Sequence, residues 1–74
     1  MVGKMGIGYR RDYTIVVSGK QDLLIQSDKY ATDMIHLFYP DALFQFEVSL
    51  GCYKFYSSTE QKFIYVKWDI GKDI

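Results

Sequence analysis

Seventy-four residues, 49% hydrophobic and 18% aromatic, are enough for one small core and too few for a second. Nine basic and nine acidic residues cancel to zero net charge, which argues against a protein held to nucleic acid or an anionic membrane by long-range attraction. The single Cys52 excludes an internal disulfide and, with only one histidine in the chain, leaves no Cys/His zinc cluster.

Residues 1–9 carry Gly3, Gly6 and Gly8 without a clear period and read as a flexible arm or an edge segment. Their G-x-x-G-x-G spacing is not a phosphate loop. Such a loop follows a strand and opens a helix, whereas this one precedes Arg10, Arg11 and a strand. With Lys4, the two arginines make this end locally basic, which reads as a solvated charge group. The arm also lacks the continuous apolar core of a signal peptide.

Residues 13–18 are β-branched and alternate Tyr13, Ile15 and Val17 against Thr14, Val16 and Ser18, which predicts a strand. A turn is expected over 19–22. Leu23 to Gln26 can be a second strand or the first turn of a helix. From Ser27 the helical reading is better, with Ser27 as N-cap and Asp28 at the positive end. Tyr30, Ala31, Met34, Ile35, Leu37 and Phe38 follow at near-helical spacing, and Pro40 stops the run. The expectation is one main helix over about 27–39, or from 21 if it begins early.

Three strands then form a meander over 43–68: 43–49, 52–57 and 62–68. A two-residue turn at 50–51 pairs Val48 with Tyr53, Phe46 with Phe55 and Glu47 with Lys54. A four-residue turn at 58–61 pairs Phe55 with Ile64, Tyr53 with Val66 and Tyr56 with Phe63. Both assignments agree on the core side of the middle strand. Phe44, Phe46, Val48, Tyr53, Phe55, Ile64, Val66 and Trp68 share one face, for the helix to cover. Gln45, Glu47, Ser49, Cys52, Lys54, Tyr56, Phe63, Tyr65 and Lys67 share the other. The expected class is α+β: a small single domain over 10–69 with an antiparallel sheet of three to five strands, one helix on one face, and a tail at 70–74.

The second face holds more rings than folding requires. Tyr56, Phe63 and Tyr65 lie beside Lys54 and Lys67, with Glu47 on the flank, and a contiguous cluster of rings on an uncovered face marks a working surface. Three readings compete for it. It can dock a protein, either a partner or a second copy, since Tyr and Phe bring large area with few rotors. It can stack single-stranded nucleic acid on the rings with the lysines at phosphates, though no RNA-recognition octamer is present. Or the N-terminal segment or the 13–26 hairpin can pack over it.

Catalytic signals are thin. His36, the only histidine, sits among apolar helix residues, and Asp33 with His36 is too few ligands for a metal. Cys52 as a nucleophile needs a base beside it, and only His36 is available. Glu47 and Glu60 form no carboxylate pair, and Asp69 and Asp73 read as solvated tail charges. No cofactor motif or small-molecule site is evident, and no 18-residue apolar run suggests a membrane span. The expectation is a non-enzymatic protein-binding module, a small regulator or inhibitor, able to self-associate because so short a chain gains from pairing with a copy. A lone cysteine fits a reducing cytoplasm. Lysine outnumbers arginine seven to two, a bias seen in AT-rich genomes such as those of phages and mobile elements.

Overall fold

A computed structural model describes residues 11–69; the arm at 1–9, Arg10 and the tail at 70–74 lie outside the described residues. The elements in order are β1 (Arg11–Val17), β2 (Lys20–Ser27), α1 (Ala31–Phe38), β3 (Leu43–Ser49), β4 (Cys52–Ser57) and β5 (Lys62–Trp68). The five strands form one antiparallel sheet in the order β2-β1-β5-β4-β3, with the helix packed on one face. This is the expected α+β class, in the form where 23–26 is a strand.

The β1–β2 hairpin turns at Ser18 and Gly19, with φ of 55° and 79°. Two successive positive φ values give a turn whose twist matches that of paired strands. The tight turn brings Leu23 opposite Ile15 and Ile25 opposite Tyr13. That pairing half-buries both β2 side chains, so residues 20–27 are strand and the expected turn at 19–22 shrinks to 18–19. Asp22 is the extra residue of a bulge between the Ile15 and Val16 pairings.

The helix therefore starts later than its spacing predicts. Tyr30 is its N-cap and makes no side-chain capping bond, while the Ser27 hydroxyl accepts from the Lys29 amide at the end of β2. At eight residues, α1 is too short to be stable in isolation, and packing holds it. Ala31, Met34 and Ile35, at i, i+3 and i+4, are buried; Tyr30, Leu37 and Phe38, expected on the same stripe, are exposed. The Tyr39 amide still reaches the Ile35 carbonyl, and Pro40 prevents another turn.

The core lies between α1 and the middle of the sheet: Tyr13 and Ile15 of β1, Ile64 and Val66 of β5, Phe55 of β4, the three helix residues and Ala42. Trp68 packs edge-on against Tyr53 at 4.8 Å and tilts against Tyr13 at 6.2 Å, closing one end. The Tyr13 hydroxyl donates to the Lys29 carbonyl.

The β4–β5 hairpin has the expected register throughout, with Tyr53 opposite Val66, Phe55 opposite Ile64 and Tyr56 opposite Phe63. The β3–β4 pairing does not. It begins as expected beside the Leu50–Gly51 turn, where Ser49 meets Cys52, but two irregularities then shift it. Glu47 falls opposite Tyr53, Phe46 opposite Lys54 and Phe44 opposite Phe55, leaving Val48 and Gln45 as extra residues. Bulges turn side chains to the other face. Phe46 thus leaves the helix face, to which the regular register assigns it, and Glu47 takes a place beside Tyr53.

Two polar latches tie the connections to the sheet. Asp41, between α1 and β3, accepts from the buried Ser57 hydroxyl at 2.9 and 3.0 Å and from the Thr59 amide at 2.8 Å. The Thr59 amide first, and then Ser57, stabilise the carboxylate and lower its pKa below 3.8. Tyr39 donates to Asp22 at 2.6 Å, and that bond is the main reason its phenol is raised to about 12.

The latches have opposite pH signatures. Ionised Asp41 stabilises fully above 3.8, and this is lost as pH falls through its lower folded value. Neutral Tyr39 stabilises fully below 10.0, and this is lost as pH rises toward about 12. In denaturation midpoints measured against pH, Asp41→Asn should flatten the acid limb and Tyr39→Phe the alkaline limb, each sparing the other. Gly19→Ala should cost about 1 kcal/mol in urea denaturation, from left-handed backbone strain. An added Cβ there meets nothing within 4 Å, so no clash contributes.

Candidate functional site

The candidate site lies on the face of the sheet away from α1. Antiparallel pairing places Lys54 opposite Tyr65 and Tyr56 opposite Phe63, so four of the expected residues are neighbours by register alone. Tyr56 and Phe63 touch with ring centres 5.0 Å apart. The Lys54 ammonium lies 4.3 Å from the Phe63 ring centre, 5.8 Å from Tyr65 and 5.1 Å from Phe46. The negative ring faces attract the cation, and three rings share it.

Phe46 is the member that sequence reasoning missed. Regular alternation puts it in the core, and only the β3 bulge brings it over Lys54. No glycine or proline in 43–49 signals that bulge. Glu47, expected on the flank of this surface, is instead in register with Tyr53 on the helix face. Lys67 lies on the far face between Thr14 and Cys52, one row from the rings. Leu43, opposite Tyr56, extends the apolar surface to the sheet edge and is exposed, as are Phe46 and Phe63.

Among the described residues no element crosses this face. The 13–26 hairpin, one candidate for covering it, joins the sheet edge-on beside β5 and extends the face through Thr14, Val16 and Leu24. The N-terminal segment, the other candidate, is outside the described residues.

Cys52 and His36 do not meet. Cys52 is in register with Lys67 on the far face, whereas His36 packs edge-on to Phe55 at 6.2 Å on the helix side, its Nε2 2.8 Å from the Ala42 carbonyl. Burial raises the Cys52 thiol, outweighing the opposing pull of Lys67. Among the described residues no group of three His, Cys, Asp or Glu side chains could hold a metal ion. No described helix is long and apolar enough to cross a membrane.

On the helix side, Arg11, Tyr30, Ala31, Thr32, Tyr53 and Trp68 line a half-open cleft of about 180 Å³. That is below the roughly 300 Å³ at which small-molecule pockets begin. The molecule is thus a small α+β domain whose one described helix leaves an aromatic, lysine-centred sheet face unoccupied by any described element. Known protein families, curated proteins and solved structures provide no match to the chain.

A buried thiol with a raised pKa reacts slowly, because the thiolate is the nucleophile. Cys52 in the folded protein should react with a chromogenic disulfide reagent near pH 8 at least roughly tenfold more slowly than free cysteine, and at the free rate in denaturant.

Proposed function

We propose that the protein is a non-enzymatic protein-binding module, a small regulator or inhibitor that docks its partner on the far face of the sheet. The observation that supports it most is the ring cluster of Phe46, Phe63 and Tyr65 around Lys54, continuous with Tyr56 and Leu43. A partner side chain that desolvates this cluster strengthens the existing cation–π contacts and adds apolar burial. Tyr and Phe in such a patch bring contact area at low conformational cost. Lys67, one row away, supplies a cation for an acidic group at the rim. A free cysteine at position 52 accords with a reducing cytoplasm.

Single-stranded nucleic acid is the second reading, with bases on Tyr56, Phe63 and Tyr65 and phosphates at Lys54 and Lys67. It is the weaker one, because Lys54 is already turned onto the rings that the bases would need. It predicts binding that falls steeply with added salt.

The test compares wild type with Tyr56→Ser, Phe63→Thr and Tyr65→Thr combined, all on partly or fully exposed positions. The partner is captured from host lysate, purified and titrated against both, with circular dichroism as the fold control. The triple change should weaken binding by at least roughly 100-fold, the size expected when anchor rings are truncated. A folded variant that keeps its partner overturns the proposal. Capture of a labelled oligonucleotide at low salt replaces it with the second reading.

A further inference from the structure

Paired residues share a face, so the far side of the sheet is a set of rows. Thr14, Lys67 and Cys52 make one row. Val16, Tyr65, Lys54 and Phe46 make the next, and Phe63, Tyr56 and Leu43 the third. Two side chains in these rows are charged, and both are lysines. In a chain of zero net charge this is a segregation of sign. Carboxylates of the neighbouring elements are engaged on the helix side. Asp41 is held by Ser57 and Thr59, Asp22 by Tyr39, Glu60 acts electrostatically on Tyr39, and Glu47 is in register with Tyr53. Asp12 and Asp69 lie beyond the Lys67 row, at the ends of β1 and β5, and the Gln26 amide donates to Asp12 at 3.1 Å.

We infer that the far face takes an acidic peptide segment, two carboxylates followed on the same side by an apolar side chain. This rests on the reading of that face as a protein-docking surface and names the chemistry of the partner. Charge complementarity selects it, and spacing gives the order. Lys67 is two residues along β5 from Tyr65, which faces Lys54, so the two lysines are diagonal neighbours. Such positions are roughly 7–8 Å apart. Carboxylates at i and i+2 of an extended segment are roughly 6.8 Å apart, and at i and i+4 of a helix about 6 Å, so either can reach both ammoniums.

The third row, one repeat further on, offers Leu43 and the touching rings of Tyr56 and Phe63 to the apolar side chain. At the opposite end Asp12 and Asp69 repel an acidic ligand, which directs it from Lys67 toward Lys54 and the rings.

Lys54 also distinguishes a carboxylate from a nucleobase. Its ammonium lies 4.3 Å from the Phe63 ring centre, and the rings exclude water from one side of it. A carboxylate arriving from the open side meets a cation that is partly dehydrated, where attraction is stronger than in bulk water. The cation–π contacts stay in place. A base stacking on Phe63 has to expel the ammonium first.

The experiment pans a phage-displayed random dodecapeptide library on the full chain. Enriched peptides are synthesised and titrated by fluorescence anisotropy, with circular dichroism as fold control. They should carry at least two Asp or Glu residues and an apolar or aromatic one. Lys54→Gln with Lys67→Gln should weaken them by at least roughly tenfold, and Lys54→Arg with Lys67→Arg by no more than roughly threefold. Amide versions of the same peptides, Glu to Gln and Asp to Asn, should lose as much without any change to the protein. Failure to enrich any peptide, or enrichment of neutral or basic ones, overturns the inference. Peptides that ignore both lysines but are lost with the combined Tyr56→Ser, Phe63→Thr and Tyr65→Thr change overturn it alone and leave the docking reading standing. Peptides that ignore the ring change overturn both. A single-stranded oligonucleotide that binds more tightly than every enriched peptide replaces the inference with the nucleic-acid reading.

Discussion

One mismatch of dimensions governs this molecule: a two-turn helix over a five-stranded sheet. Eight residues at 1.5 Å each make α1 roughly 12 Å long, while five strands at 4.8 Å spacing span roughly 19 Å. The helix can cover the centre of one face. Ala31, Met34 and Ile35 do so over β1, β5 and β4, which is why the buried residues are Tyr13, Ile15, Phe55, Ile64 and Val66. β3 lies beyond its reach, so every residue of that strand is exposed despite an apolar sequence. With a single described helix, the other face has no described cover at all. The uncovered ring cluster and the exposed β3 strand follow from the same shortage of helix.

The bulges of β3 decide how that exposed strand is used. A regular strand would spread Phe44, Phe46 and Val48 along the helix face, past the end of what α1 can shelter. Two extra residues turn the strand so that Phe44 stays against Phe55 and Tyr53, at 5.7 and 5.2 Å, while Phe46 moves to Lys54. One apolar ring then supports the core rim and the other completes the cluster around the ammonium.

Much of this was legible in the sequence, and the illegible parts have physical reasons. The β4–β5 hairpin could be registered from residue parity, because apolar side chains at Tyr53, Phe55, Ile64 and Val66 require one side and the four-residue turn preserves it. Tyr56, Lys54, Phe63 and Tyr65 therefore grouped as expected. β2 was ambiguous because Leu23, Leu24 and Ile25 suit a strand or a helix equally; the contact with Tyr13 and Ile15 decided it, and no local signal reports that contact. Ser27 had the chemistry of a cap but spent its hydroxyl at the strand end. The bulges carried no glycine to announce them, which cost the placements of Phe46 and Glu47.

The strand order has a consequence for how the chain reaches this state. β5, last of the six described elements, is the middle strand, held by β1 on one side and β4 on the other. Tyr13 must find Trp68 across more than fifty residues, a loop whose closure entropy is met before its contacts form. During synthesis the β1–β2 hairpin and the β3–β4 pair emerge as separate pieces, each with a raw edge where β5 belongs. Until that strand arrives the nascent chain has four of the described strands and no common core, and this is the stage at which proteases and mispairing threaten it most.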